Sequence, residues 1–186
     1  MKQFSASKIL TNMFAVPFQG NIEKAKFFIL TGNPGFEPGD YEDEHEDKGY
    51  IRLLEDNLQF KSESFFCLDP AAKRTGGFEY WSKPAKISRI AKTLSEIRAD
   101  LSFDDCYEFV KRNTCVIETV AYHSCNSPSS KIYNLPSSKL MKDFVQKELA
   151  KRANNGEVFI FVWRSASIWN LEPSSNIMIR PPKKAQ

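Results

Sequence analysis

Apolar positions along the chain fall into short runs closed by turn residues, with stretches of helical spacing between them. Ala25 to Leu30 is one such run, and it ends in Thr31-Gly32-Asn33-Pro34-Gly35, a strand delivering the chain into a tight turn. Cys115 to Val120 is β-rich and leads into Tyr122-His123-Ser124. Val158 to Trp163 reads as a fully buried strand and Asn176 to Ile179 as a last one. Tyr50 to Leu58 and Pro84 to Ile97 carry helical spacing; in the second, Ile87, Ile90, Ala91, Leu94 and Ile97 trace one apolar face. Further helices are expected from about Ser137 to Arg152, ended by Asn154-Asn155-Gly156, and over Ser165 to Leu171. The aromatic-rich stretch from Phe65 to Trp81 is too irregular for a helix and too polar for a buried strand, so a loop is expected there.

Strands alternating with helices predict an α/β fold with a largely parallel sheet covered on both faces. Four strands are expected, in a three-layer αβα build, and the 186 residues suit a single domain over 1–186 without internal repeats. In open sheets of this kind ligands bind at the carboxyl ends of the strands. Polar residues in the turns after the first and second strands therefore carry extra weight.

Composition narrows the classes. The longest uninterrupted apolar run, Val158 to Trp163, is far too short to cross a bilayer, and Thr11 and Asn12 break the N-terminal apolar stretch before a secretory core forms. A cytoplasmic location is expected. Cys67, Cys106, Cys115 and Cys125 form no C-x-x-C pair, so their spacing suggests neither a zinc knuckle nor an iron–sulfur cluster, and reduced thiols are expected. The net charge of +3 conceals an asymmetry: Glu37 to Asp47 holds seven carboxylates and no Lys or Arg. The remainder has 26 Lys and Arg against 16 carboxylates. A basic body suits a polyanionic partner; scattered solvated cations are the plainer alternative. The acidic segment, with His45 in it, is expected to be a mobile loop, since its residues lack a recognised metal-ligand spacing.

The strand ends together resemble the uracil-DNA glycosylase superfamily. Asn33-Pro34-Gly35 looks like the G-x-N-P-G motif of its mismatch-specific uracil and thymine branch. Val116 to Val120 resembles the second core strand, which in the uracil-specific branch ends in a base-reading Asn. Gly156 to Trp163, with Ser165 and Ala166, is similar to the third strand and its helix, and Arg180-Pro181-Pro182 falls where the family places its H-P-S or N-P-S loop. The chain departs from the pattern at three places: Thr31 replaces the first Gly, Pro182 the usual Ser, and Glu118 stands where a uracil reader has Asn. An ionised carboxylate only accepts hydrogen bonds, which suits the exocyclic amine of a cytosine-like base better than the O4 of uracil.

The resemblance implies a monofunctional glycosylase acting on DNA as a monomer, with no metal and no organic cofactor. Asn33 positions the attacking water, and His123 stabilises the departing base or a phosphate. Phe66 stacks on the flipped base, with Phe65 and Trp81 as neighbours, while Glu118, Asp69 and Tyr122 complete the base pocket. Arg164, Arg180, Lys183 and Lys184 are assigned to phosphates. Each has a plainer reading: a simple Asn-Pro-Gly turn, a core Phe66, an Asp69 that forms the turn before Pro70, a structural His123. The expected substrate is an unusual, modified or damaged base, extending to the bulky cytosines of phage genomes and so to antiviral defence. Uracil or mismatch repair, an inactive DNA- or nucleotide-binding module, and a hydrolase of free nucleotides are the alternatives.

Overall fold

A computed structural model describes residues 9–126 and 130–181. Its centre is a five-stranded mixed sheet of β1 (Phe18–Gln19), β2 (Phe27–Thr31), β3 (Thr114–Glu118), β4 (Phe159–Val162) and β5 (Ile177–Ile179), in the order β1-β3-β2-β4-β5. β3, β2, β4 and β5 run parallel, and β1 lies antiparallel along β3. The α/β class expected from the pattern is present. The expected count of four strands is corrected by β1, whose two residues are too few to leave any periodicity.

Period-two alternation divides the core into two layers. Phe28 and Leu30 of β2, with Cys115 and Ile117 of β3, pack on Val145, Leu149 and Trp169. Ile29 and Val116 point the other way, onto Tyr50, Leu54, Phe66, Ile87 and Val110. The chain between β2 and β3 covers this second face with α1 (Pro38–Glu46), α2 (Lys48–Leu58), α3 (Gly76–Ser82), α4 (Ile87–Ile97) and α5 (Phe103–Asn113). After β3 it covers the first face: α6 (Pro136–Asp143) runs through a π-helical stretch, Phe144–Leu149, into α7 (Ala150–Asn154), and α8 (Ala166–Trp169) follows β4. The connection after β2 leads to one side of that strand and the connection after β3 crosses back to the other. The carboxyl end of β2 is thus a topological switch point, where crevices form in open α/β sheets.

Three helical expectations change. The acidic segment forms α1, started by Pro38, with the Asp40 carboxylate accepting from the Glu37 amide at 2.7 Å. Its Asp40, Asp43 and Glu44 are buried, so tertiary partners override the repulsion that suggested a loop. α3 arises inside the presumed aromatic loop because Thr75 caps it, its hydroxyl accepting from the Phe78 amide at 3.1 Å. α5, capped by Ser102, was not visible as a pattern because Phe103 and Phe109 stay exposed. The apolar face foreseen on α4 is only partly used: Ile87 and Ala91 are buried, whereas Ile90 and Ile97 remain exposed.

Buried Asn57 of α2 ties the β1 edge down, its Nδ2 donating to the Phe18 carbonyl at 2.8 Å and its Oδ1 accepting from the Gly20 amide at 2.9 Å. Asn57→Ala strands both backbone groups and is expected to lower stability by about 2–3 kcal/mol, read as a fall in urea midpoint at constant slope. A loss below about 0.5 kcal/mol would mean that water replaces the amide freely.

Candidate active site

The ends of three parallel strands open on one cleft of about 380 Å³. β2 delivers Thr31 and Asn33, β3 delivers Glu118 and then His123 and Ser124, and β4 is followed by Trp163 and Arg164. The aromatic segment supplies Phe66, Tyr80 and Trp81, and α1 supplies Asp40. Five expected site residues, Asn33, Phe66, Glu118, His123 and Arg164, therefore share one cavity.

The half-buried Asn33 is held by its amide nitrogen, which donates to Ser124 Oγ at 2.8 Å and to the Pro34 carbonyl at 2.6 Å. With the nitrogen committed, Oδ1 is the atom left to accept from a water. Ser124 is itself fixed by donating to the Asn126 carbonyl. This loop cannot swing freely, because Val120 N donates to the Gly32 carbonyl at 2.8 Å and continues the β2–β3 pairing past Glu118.

Glu118 lies opposite Thr31 in the register, and Thr31 Oγ1 donates to its Oε2. These two residues are thus partners: a Gly at 31 would leave the carboxylate without this donor. Burial pushes the Glu118 carboxyl up to about 7, against the opposing pull of Thr31, His123 and Arg164. One oxygen is held by Thr31, which leaves Oε1 for an occupant of the cleft, and the group switches between acceptor and donor near neutral pH.

His123 is nearly buried, with Nδ1 2.6 Å from the Gly35 carbonyl and Nε2 3.2 Å from Glu44 Oε1 in ion-pair contact without a well-directed hydrogen bond. Glu44 Oε2 accepts from the Phe14 amide at 2.8 Å. Burial opposes a charge on the ring, yet the Glu44 carboxylate, the Gly35 carbonyl and Asp40 outweigh it and raise the His123 pKa. Both ring nitrogens face protein acceptors, so neither N–H is left for a substrate. What His123 offers the cleft is a cross-link from the β3 loop to α1.

Phe66 is 2% exposed and packs in the core beside Tyr50 while also lining the cleft, as the plainer core reading expects. Phe65 lies fully inside the core, edge-on to Trp81 at 5.4 Å. Asp69 does not line the cleft; it caps the turn at Pro70–Ala72 by accepting from the Ala71 amide at 2.9 Å. Tyr122 packs instead beside Ile9, Val120 and Ile132. Arg180 lies outside the cleft lining with its guanidinium 4.1 Å from the centre of the Trp163 ring. Lys183 and Lys184 are beyond the described residues. No cluster of His, Cys, Asp or Glu able to hold a metal is present among the described residues.

Sequence reasoning passed over Thr31 as a functional residue, and also Asp40, Glu44, Tyr80, Trp163 and Lys86. The five carboxylates of α1, with His45 among them, carried the only advance signal, an acidic run too dense for an ordinary surface turn. Compared with known proteins, the chain matches no family model, no curated protein and no solved structure.

Because the folded Glu118 carboxyl sits at about 7, above its ordinary 4.5, the native state binds the proton more tightly than the unfolded chain. Its ionisation therefore costs stability as pH rises from 4.5 through 7, and the loss levels off above that window. Glu118→Gln keeps an acceptor for Thr31 and removes the titration. Relative to the parent, its melting temperature should gain steadily across the window, by up to about 3 kcal/mol of stability at the alkaline end. Parallel pH–stability curves for the two proteins would show that this carboxyl does not titrate with folding.

Proposed function

We propose that the chain is a monofunctional DNA glycosylase of the uracil-DNA glycosylase superfamily, which hydrolyses the N-glycosidic bond of a modified or unusual base and leaves an abasic site. The observation that carries this reading is the convergence of Asn33, Glu118 and Phe66 on one cleft at the switch point of the sheet. Chemistry of this kind needs an extruded nucleotide held by stacking and edge hydrogen bonds, and a water aimed at the sugar carbon. Phe66 supplies the wall, Glu118 Oε1 reads the edge, and Asn33 Oδ1 holds the water. An amide is a weak base, so the rate comes from orienting that water and from stabilising positive charge on the sugar and negative charge on the leaving base. The carboxylates Asp40 and Glu118 favour the first, and Arg164 in the cleft lining favours the second.

The base class follows from Glu118. Ionised, it accepts from an exocyclic amine, so a cytosine derivative is the preferred substrate above the midpoint of about 7. Protonated, it donates to a carbonyl, which favours the uracil-type reading below that midpoint. A cleft of about 380 Å³ lies within the range that encloses a ligand larger than one pyrimidine ring, in keeping with a bulky modified cytosine and a role in defence against phage DNA. Arg164 and Arg180 contact phosphates, and the chain acts in the cytoplasm as a monomer.

Oligonucleotides carrying uracil, mismatched thymine, hydroxymethylcytosine or glucosylated cytosine, probed for alkali-labile breaks well below and well above the Glu118 midpoint, test the reading. Asn33→Ala should lower excision on the order of 100-fold while leaving DNA affinity near that of the parent. The favoured base should change from oxo to amino as pH rises. Tight binding without breaks on any substrate would replace the enzyme with a binding module, and release of base from free nucleotides alone would point to a monomer hydrolase. Arg164→Ala combined with Arg180→Ala should make the dependence of log affinity on log salt shallower by about 2.

A further inference from the structure

In one wall of this cleft Tyr80 of α3 meets Trp163, which follows β4, and Lys86, which precedes α4, reaches the same phenol from outside the lining. Lys86 Nζ lies 2.8 Å from the Tyr80 hydroxyl oxygen and Trp163 Nε1 lies 3.2 Å from it. Ammonium and indole nitrogens only donate, so the phenol oxygen is an acceptor in both bonds. Its own hydrogen remains to be given, and no acceptor among the described residues takes it. Two bonds received by one oxygen polarise its O–H and strengthen it as a donor. Tyr80 is half-buried and lines the cleft, which makes that hydrogen available to an occupant.

The surroundings are cationic. Lys86 Nζ sits 4.0 Å from the centre of the Tyr80 ring and 4.2 Å from that of Trp163, and the Arg180 guanidinium is 4.1 Å from the same indole. Such contacts hold flexible cations in place before a ligand arrives. Arg164 and Lys83 line the cleft, and Glu79 on the same helix as Tyr80 is paired with Lys83 at 3.4 Å. Burial resists a phenolate, but Lys86, Trp163 and Arg164 prevail and lower the Tyr80 pKa.

We propose that this corner is a phosphate subsite, in which Tyr80 donates its hydroxyl hydrogen to a phosphate oxygen while Arg164, in the lining, supplies the opposing charge and Lys86 holds the phenol from behind. The inference rests on the glycosylase reading only in taking the occupant to be a nucleotide unit. It also fixes orientation: Asp40 and Glu118 repel phosphate, so the base goes to Glu118 and the phosphate to Tyr80. The phosphate comes either from a DNA strand or from a free nucleotide.

Inorganic phosphate, deoxycytidine, its 5′-monophosphate and a short abasic oligonucleotide are titrated into the full chain and into Tyr80→Phe, which keeps the ring and its edge-on packing against Trp81. The monophosphate should bind about tenfold tighter than the nucleoside to the parent, and this advantage should vanish in the variant. A Tyr80-dependent gain seen also with the oligonucleotide assigns the phosphate to a strand, and one confined to the monophosphate assigns it to free nucleotide. In a second readout, phenolate absorbance lost in Tyr80→Phe reports Tyr80 ionisation, which phosphate should move to higher pH because dianion and phenolate repel. Equal affinity for nucleoside and nucleotide, a preference that survives Tyr80→Phe, or an ionisation that phosphate leaves unmoved would overturn the subsite. Base excision with the phosphate preference intact in Tyr80→Phe sinks this inference alone; a Tyr80-dependent preference without excision of any base sinks the glycosylase reading alone.

Discussion

The cleft depends on carboxylates that have been taken out of water. Asp40, Asp43 and Glu44 project from one helix into the protein, and each is matched: Asp40 accepts from the Glu37 and Gly76 amides, Asp43 meets Arg74 at 3.4 Å, and Glu44 meets Phe14 and His123. Buried charge is tolerated only with such partners, and loss of one partner leaves the other uncompensated. The same contacts define the cavity, since they tie the N-terminus of α3, the N-terminal segment and the loop after β3 to one rigid element. Burial raises the Asp43 carboxyl against the pull of Arg74, a sign that the helix is held by its surroundings more than it is stabilised by its own charges.

Rigidity extends to the residues that would touch a substrate. The Thr31 carbonyl accepts from Thr119 Oγ1 at 2.9 Å and from Trp169 Nε1 at 3.2 Å, so the end of β3 and the helix α8 grip the end of β2 through one oxygen. Thr31 Oγ1 then holds Glu118, and Ser124 holds Asn33. Groups fixed in this way need little reorganisation when a ligand enters. Thr31 and Glu118 make sense as a unit, a donor placed beside the buried acid that needs it.

Much of the architecture was legible because burial on both faces writes itself as continuous apolar runs: Phe27–Thr31 overlaps the expected Ala25–Leu30 and Phe159–Val162 lies inside the expected Val158–Trp163, each to within two residues at its ends. Strand ends, the aromatic segment and the family resemblance together had already gathered Asn33, Phe66, Glu118, His123 and Arg164, which share one cavity. What escaped was set by partners distant in sequence. α1 is a helix because Gly76 and His123 receive its carboxylates, and no local pattern announces either contact. Asp69 was indistinguishable from a pocket residue until its oxygen was found on the Ala71 amide. Tyr80 was hidden because its importance lies in what reaches its oxygen from Lys86 and Trp163, on two other elements.

The hold of Asn57 on the β1 rim bears on behaviour between molecules. A sheet edge with free amides and carbonyls is a template on which a strand from another chain can add. Here one rim is only two residues long and has its Phe18 carbonyl and the adjoining Gly20 amide already occupied by a helix side chain, while the other rim spans three residues. A foreign strand would find too few vacant groups for a lasting ladder, so a sheet with exposed Met178 and Phe159 is guarded against intermolecular β-pairing by the shortness and capping of its margins.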